Sequence, residues 1–299
     1  MRHFLVRAIG GGVVLLPVLV FTQAPAGDQV SARAKQLHDR AIVVDSHDDT
    51  TQRLVFEKTF NLAARNKNGN IDIPRMREGG LDALFFSIWV PSDVTGPPAV
   101  KRALDQIDAV REAVRKHPND FLLATTAADI RKAAAEKKIA ALMGVEGGHM
   151  IAEDLAVLRV FAALGVRYMT LTHSLNTAWA DSSGDKPAHD GLTPFGKDVV
   201  REMNRLGMMV DISHVADKTF FDTLEVSRAP VIASHSSARA IANAPRKVTH
   251  RRASKGARSG GIETSRGVGA MSISVPSRSR KTAHSDAFST IIATQLAGN

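Results

Sequence analysis

Six short, continuous apolar runs recur along the chain: Ala41–Asp45, Ala83–Val90, Ile139–Val145, Tyr168–Thr172, Met208–Ile212 and Val231–Ala233. None alternates between apolar and polar positions. Strands of a parallel sheet covered on both faces read this way. Helical patterns lie between most of them. Residues 99–116 carry Val100, Leu104, Ile107, Val110 and Val114 at spacings of three and four, which makes one apolar stripe. Thr126, with Asp129 three residues later, predicts an N-cap and a variant of the capping box. Leu155–Leu164 predicts a helix that stops at Gly165. Thr193-Pro194 opens another that closes at Gly207, with Thr at the N-cap, Pro at the first helical position and Gly just past the end. Ala216–Glu225 is a further helix. Repeated strand–helix alternation predicts an α/β protein. A TIM (β/α)8-type barrel is the leading architecture, incomplete at about six strands. An open doubly wound sheet ranks second, because no G-x-G-x-x-G follows an early strand.

The polar residues fall where such a barrel would use them. His47 and Asp49 come just after the first run, Glu146 follows the third and His173 the fourth. His214 closes the fifth run and His235 the sixth. In a barrel these strand ends open on one face, where active sites sit, so residues distant in sequence converge. Any one of them alone reads as a hydrogen-bonded loop residue or a helix cap. Five strand ends of six carrying a His or a carboxylate do not read as scatter of eleven His. His38, His117, His189, His250 and His284 show no such placement and read as surface; His149, in the loop after Glu146, fits either description. Three imidazoles and two carboxylates suit borderline divalent ions, most often zinc. The His-x-Asp pair aims two donors at one ion, a carboxylate from another strand can bridge two ions, and two further His complete the second. Two such ions sharing a hydroxide supply a nucleophile for an amide or ester.

Composition narrows this. The 299 residues are 44% hydrophobic and 23% charged, which excludes a wholly disordered chain. Cysteine is absent, so disulfides, thiolate zinc sites and cysteine nucleophiles are excluded. The net charge of +9 is unevenly placed: residues 247–299 hold nine Lys/Arg and two Asp/Glu, and the first 246 are nearly balanced at 30 against 28. At the other end, Arg2, His3 and Arg7 precede the apolar stretch Ala8–Phe21 and the small-residue site Ala24-Pro25-Ala26. That is the layout of a cleaved signal peptide over residues 1–26, too short in its apolar part for the roughly 20 residues of a spanning helix. The mature chain is expected to be exported, periplasmic or secreted, with no stable membrane span.

The segment Val43-Val44-Asp45-Ser46-His47-Asp48-Asp49 resembles the opening strand of the membrane (renal) dipeptidases, peptidase family M19. Gly144-Val145-Glu146-Gly147-Gly148-His149, Leu171-Thr172-His173-Ser174-Leu175-Asn176-Thr177-Ala178-Trp179, Gly191-Leu192-Thr193-Pro194-Phe195-Gly196, Asp211-Ile212-Ser213-His214 and Ser234-His235-Ser236-Ser237-Ala238 continue the likeness in order, from about Ala41 to Arg246. The resemblance implies a TIM barrel with two Zn2+ ions. His47 and Asp49 would hold one, His214 and His235 the other, and Glu146 would bridge them as the central catalytic carboxylate. His173 would contact the substrate near the scissile carbonyl. Arg246 would bind the C-terminal carboxylate of a dipeptide, as a guanidinium fork suits. The substrates implied are dipeptides, with D-residues tolerated at the C-terminal position, and a homodimer is the state many members adopt. The family often has Asn where this chain has Asp48.

After Arg246 the pattern changes. The family would continue with two more strands and an acid–base Asp, whereas residues 247–299 hold nine Ser, six Gly and nine Lys/Arg without sustained periodicity. Glu263 and Asp286 follow no apolar run, so neither takes the missing role. Three domains are therefore expected: signal peptide 1–26, partial barrel 27–246 and a basic, low-complexity tail 247–299. A frameshift near codon 246 accounts for motif loss, charge jump and loss of period at one residue. Reading the other two frames downstream should recover the last strands. A tail that binds nucleic acid is the disfavoured reading, since an exported hydrolase has little use for one. The expected function is a zinc dipeptidase with little or no turnover in this chain. The alternatives are an amidohydrolase-type enzyme acting on a small amide or lactone, and a non-catalytic metal- or peptide-binding remnant.

Overall fold

The computed structural model describes residues 30–237. The signal segment 1–26, Arg246 and the tail 247–299 lie outside the described residues. Helix α1 (Ala32–Arg40) leads into strand β1 (Val44–Asp48), and α2 (Thr50–Phe56) and α3 (Ile73–Glu78) precede β2 (Ala83–Trp89). The chain continues through α4 (Pro97–Lys116), β3 (Phe121–Leu123), α5 (Ala127–Ala135), β4 (Ile139–Glu146), α6 (Leu155–Ala163), β5 (Val166–Thr170), α7 (Pro194–Leu206), β6 (Met209–Asp211) and α8 (Asp217–Val226). The helix boundaries follow the sequence signals. Thr126 and Asp129 form the reciprocal capping box at α5, and Thr193 caps α7, which ends on Gly207 in the left-handed region.

Every strand pairing is parallel, in the order β1-β2-β4-β5-β6, with β3 beside the first residues of β4. Apart from β3 the strands follow chain order with no reversal, so among the described residues there is no switch point of the doubly wound kind. The sheet is a curled, incomplete barrel of about five to six strands. Two details depart from the expected strand set. Phe121–Leu123 adds a strand of three residues, and Val231–Ala233 contributes one parallel bridge, Ile232 to Asp211, in place of a full strand. Among the described residues no helix is long and apolar enough to cross a membrane.

Alternation sorts the strand residues into two apolar layers. Leu84, Phe86, Ile88, Ala141, Met143, Val145 and Met169 pack with residues of α4, α6 and α7. Ala83, Phe85, Ala140, Leu142 and Tyr168 form a second cluster on the opposite face, with Val44 and α5 residues Ile130 and Ala133. Continuing the second row along β4 by steps of two gives Gly144 and then Glu146. The carboxylate thus tops the inner row. Val44 and His47 are three residues apart and would alternate to opposite faces, but β1 is bulged. Asp45 pairs with Leu84 and Asp48 with Phe86, three steps against two. The extra residue re-aims the strand end, a common use of bulges beside sites, and His47 joins Val44 on the inner side.

Candidate metal centre

The strand ends meet in a cavity of about 350 Å3 lined by His47, Asp49, Trp89, Glu146, His173, His214 and His235. All six residues singled out at the strand ends, from His47 to His235, are there. Glu146 stands at the centre with a 6% exposed side chain. Its two oxygens divide the site. Oε2 faces His47 Nε2 at 3.4 Å and accepts from Ser87 Oγ at 3.3 Å. Oε1 faces His214 Nε2 at 3.0 Å, His235 Nε2 at 3.1 Å and His173 Nε2 at 3.6 Å. Asp49, at the start of α2, brings Oδ1 to 3.5 Å from His47 Nε2 with its side chain 62% exposed. Donor atoms of His47, Glu146 and His235, and of Glu146, His173 and His214, each lie within 4.8 Å of one another.

Three of the four imidazoles are held from behind, which leaves the other nitrogen toward the cavity. His47 Nδ1 meets the Tyr168 hydroxyl at 3.0 Å, His173 Nδ1 meets Ser92 Oγ at 3.1 Å, and His235 Nδ1 meets Ser234 Oγ at 2.7 Å. Such outer partners fix ring orientation in metal sites. His214 is held through its backbone. It adopts φ 66, a left-handed conformation rare outside glycine, and its carbonyl accepts from Ser183 N at 2.7 Å and Ser182 Oγ at 3.2 Å. The loop after β5 thus clamps a strained turn that turns His214 inward.

The electrostatics follow from this crowding. Burial opposes charge on Glu146, yet the facing His214, His235 and His47 outweigh it and hold the carboxyl well below the usual carboxylate range. Burial likewise opposes charge on His47, but Asp49 and Glu146 prevail and push its imidazole up to about 10. With no ion present, a protonated His47 therefore stabilises the fold. That contribution is complete below the unfolded value near 6.5 and is lost as pH rises toward 10. An ion bound at this nitrogen displaces the proton. Between about pH 6.5 and 9, affinity on the His47 side should climb by about tenfold per pH unit, with about one proton released per ion. Titration calorimetry in two buffers of different ionisation enthalpy reads that release; a proton-neutral binding step at pH 7.5 would contradict it.

The donor set fits a divalent metal. Two imidazole nitrogens face each other at 2.8 Å across His214 and His235, and both also face one carboxylate oxygen. Three lone-pair carriers aimed at one point suit a cation better than one another. The nitrogen and oxygen donors are those of borderline ions such as zinc.

Sequence reasoning missed several neighbours. Trp89, the last residue of β2 in the one run without a following His or carboxylate, forms a wall of the cavity and lies 5.9 Å, ring to ring, from His173; the strand-end rule applied to aromatics would have found it. Tyr168 reads as an ordinary core residue. Ser92 and Ser234 carry no pattern of their own. His149, which the sequence leaves open, is buried beside the site with Nε2 unpartnered, and burial together with His173 pushes its imidazole down to about 4. It is a neutral packing residue at neutral pH. Its ring lies where a Cβ on Gly147 would fall, and Gly147 has φ 120.

A model of the family described as membrane dipeptidase (peptidase family M19) matches residues 31–262, past both ends of the likeness drawn from motifs alone. Dipeptidase 3 of Mus musculus is 42% identical over 210 residues, covering 67% of this chain and 41% of its own length. The chain thus spans about two fifths of the curated relatives it matches. The crystal structure of dipeptidase AC, a metallopeptidase of the same family, superposes with a TM-score of 0.64 at 31% identity over 69% of this chain and 66% of that one. A metallopeptidase from Rhodobacter sphaeroides, liganded with a phosphinate mimic of the dipeptide L-Ala-D-Ala, gives 0.64 at 29% identity over 69% and 68%.

Proposed function

The chain belongs to the membrane dipeptidase family, peptidase family M19, and from that premise we propose that its cavity is a binuclear zinc site for hydrolysing dipeptides. The observation that carries the proposal is the division of Glu146. One carboxylate oxygen looks toward His47 and the other toward His214 and His235, as a residue shared by two ions must. In this reading His47 and Asp49 would hold one Zn2+, His214 and His235 would hold the other, and Glu146 would be shared between them. The chemistry that two divalent ions would supply there is a water acidified toward neutral pH as the nucleophile for an amide carbonyl.

The remaining work falls to the chain's own side chains. His173, anchored through Nδ1 on Ser92, presents Nε2 to the cavity and donates from it to the substrate carbonyl oxygen. Trp89 walls the site and excludes water from one side. Arg246, beyond the described residues, binds the dipeptide carboxylate. The phosphinate mimic of L-Ala-D-Ala held by the Rhodobacter sphaeroides relative supports a dipeptide as the ligand. The N-terminal pattern supports export to the periplasm or medium. Neither Glu263 nor Asp286 follows an apolar run, so neither is assigned the acid–base role that the family likeness implies for a carboxylate on a later strand. Turnover should then lie roughly 10²–10⁴-fold below that of its relatives, the usual contribution of a positioned proton carrier.

The test is hydrolysis of L-Ala-D-Ala by the zinc-loaded full chain, followed by chelation and zinc re-addition. Slow, zinc-restored cleavage of the dipeptide with no cleavage of a tripeptide is the expected result. Preferential hydrolysis of a lactone or simple amide would transfer the site to the wider amidohydrolase class. Two bound ions with no hydrolysis at all would make it a binder.

A further inference from the structure

Asp211, the last residue of β6, is fully buried, and five donors surround its carboxylate. Oδ1 accepts from Ser213 N at 3.1 Å, Ser213 Oγ at 3.0 Å and Ser234 N at 3.0 Å; Oδ2 accepts from Thr170 Oγ1 and Ser234 Oγ, each at 2.6 Å. It forms no ion pair with any Lys or Arg of the described residues, and it is not among the residues that line the cavity. Asp211 is next to the metal centre in the sequence motif and absent from the site itself.

Its reach is through Ser234. That hydroxyl has one proton, and its two nearest claimants are Asp211 Oδ2 at 2.6 Å and His235 Nδ1 at 2.7 Å; Ser213 Oγ, which itself donates to Asp211 Oδ1, stands farther off at 3.3 Å, and the Tyr168 hydroxyl also bonds the serine side chain. A carboxylate can only accept, so the serine proton goes to Asp211. His235 must then donate its own Nδ1–H to Ser234 Oγ. An imidazole protonated at Nδ1 carries its lone pair on Nε2, and His235 Nε2 is the atom 3.1 Å from Glu146 and 2.8 Å from His214. We propose that Asp211 is a positioning residue that fixes the ligating tautomer of His235 through the Ser234 hydroxyl. The same carboxylate ties Ser213, the neighbour of His214, so both imidazoles of the second ion hang from one buried anion. The proposal rests on the binuclear reading of the site for its purpose, but the tautomer itself does not depend on a bound ion.

Asparagine at 211 distinguishes a tautomer role from simple packing. At Oδ1 two backbone N–H groups demand an acceptor, so the amide oxygen stays there and the NH2 takes the place of Oδ2. The NH2 donates to Ser234 Oγ, the serine proton turns to His235 Nδ1, and the ring proton moves to Nε2. A similar exchange of carboxylate for amide misplaces a proton in the serine-protease triad. The experiment uses the full chain labelled with 15N at histidine, freed of metal by chelation, at a pH where the ring is neutral. Long-range 1H–15N correlation should show His235 protonated at Nδ1. Asp211→Asn should move that proton to Nε2 and weaken the second zinc by roughly 10–100-fold, the range for lost outer partners, while His149, which forms no part of the relay, keeps its signals. Ser234→Ala, which removes the relay without reversing it, should give mixed tautomers and a smaller loss of affinity; it decides the matter if the Asp211 variant does not fold. A purely structural role would lower the melting temperature and leave the tautomer alone. His235 protonated at Nε2 in the unsubstituted chain, or unmoved by both variants, overturns the proposal. An Nδ1–H ring in a chain that binds no zinc would instead overturn the metal reading and leave this assignment standing.

Discussion

Glu146→Gln is expected to strip the chain of both metal ions. Loss of an outer partner alone costs roughly 10–100-fold in affinity, and Glu146 is proposed as an inner donor to each ion at once, so the fall should exceed 100-fold for both. The amide keeps one oxygen and turns N–H donors toward either His47 or the His214–His235 pair, so one half of the site meets hydrogen where it needs a lone pair. Its effect on His47 is a second signature. The imidazole is pushed up by Asp49 and Glu146 together, so the variant should titrate nearer neutrality in the metal-free chain. Elemental analysis after dialysis, with histidine titration by NMR, checks both. The half-buried Glu112, paired with Arg115 on α4 and remote from the cavity lining, is the control whose conversion to Gln should leave both readouts unchanged. Two ions retained at full affinity by Glu146→Gln would remove the basis of the proposed function.

The second large effect belongs to a residue with no side chain. A Cβ on Gly144 would fall 2.0–2.3 Å from three atoms of the Tyr168 ring. The ring is fully buried, with Phe85 at 5.2 Å between centroids, and its hydroxyl is the partner of His47 Nδ1. Gly144 is paired to Ser87 on one side and Tyr168 on the other, so neither backbone nor ring has room to retreat. Gly144→Ala should cost about 3 kcal/mol, the upper part of the range for overpacked cores, and should weaken the His47-side ion by dislodging the phenol. Urea denaturation measures the first and zinc titration the second. Tyr168→Phe keeps the ring and should lose only the metal effect. In a Tyr168→Leu background the Gly144→Ala penalty should shrink, a coupling that a double-mutant cycle reads directly. A Gly144→Ala chain as stable as the parent would mean that the Tyr168 ring has another place to sit.

Much of the architecture could be read before any coordinates, for identifiable reasons. Strands buried on both faces give continuous apolar runs, and Ala83–Val90 and Ile139–Val145 match β2 and β4 almost residue for residue. Thr193-Pro194 and Gly207 bound α7 because cap chemistry is local. The strand-end rule found the six polar residues of the cavity because a parallel barrel sends every strand to one rim. Other features are invisible to such rules. Phe121–Leu123 is three residues long and has no period to detect. The β1 bulge is a property of pairing with β2, and only that pairing explains how His47 reaches the inner face. Tyr168, Ser234 and Asp211 have roles set by register across β4, β5, β6 and the Ile232 bridge, so their sequence neighbourhoods describe a core tyrosine, a loop serine and a strand aspartate. The pairing of ligands with individual ions came from family likeness, and periodicity had no part in it.

The first and last described parts of the sheet touch at the rim. Ser46 Oγ donates to the Ser234 carbonyl at 2.5 Å, and the rings of His47 and His235 lie 3.9 Å apart. These neighbours are separated by 188 positions. Closing so long a loop comes late in folding, after local helices and adjacent strands have formed. The rim is therefore completed last: the β1–β2–β4 pairings already bring His47 to Glu146, and the cavity lacks its final wall until His235 has been made and brought against His47.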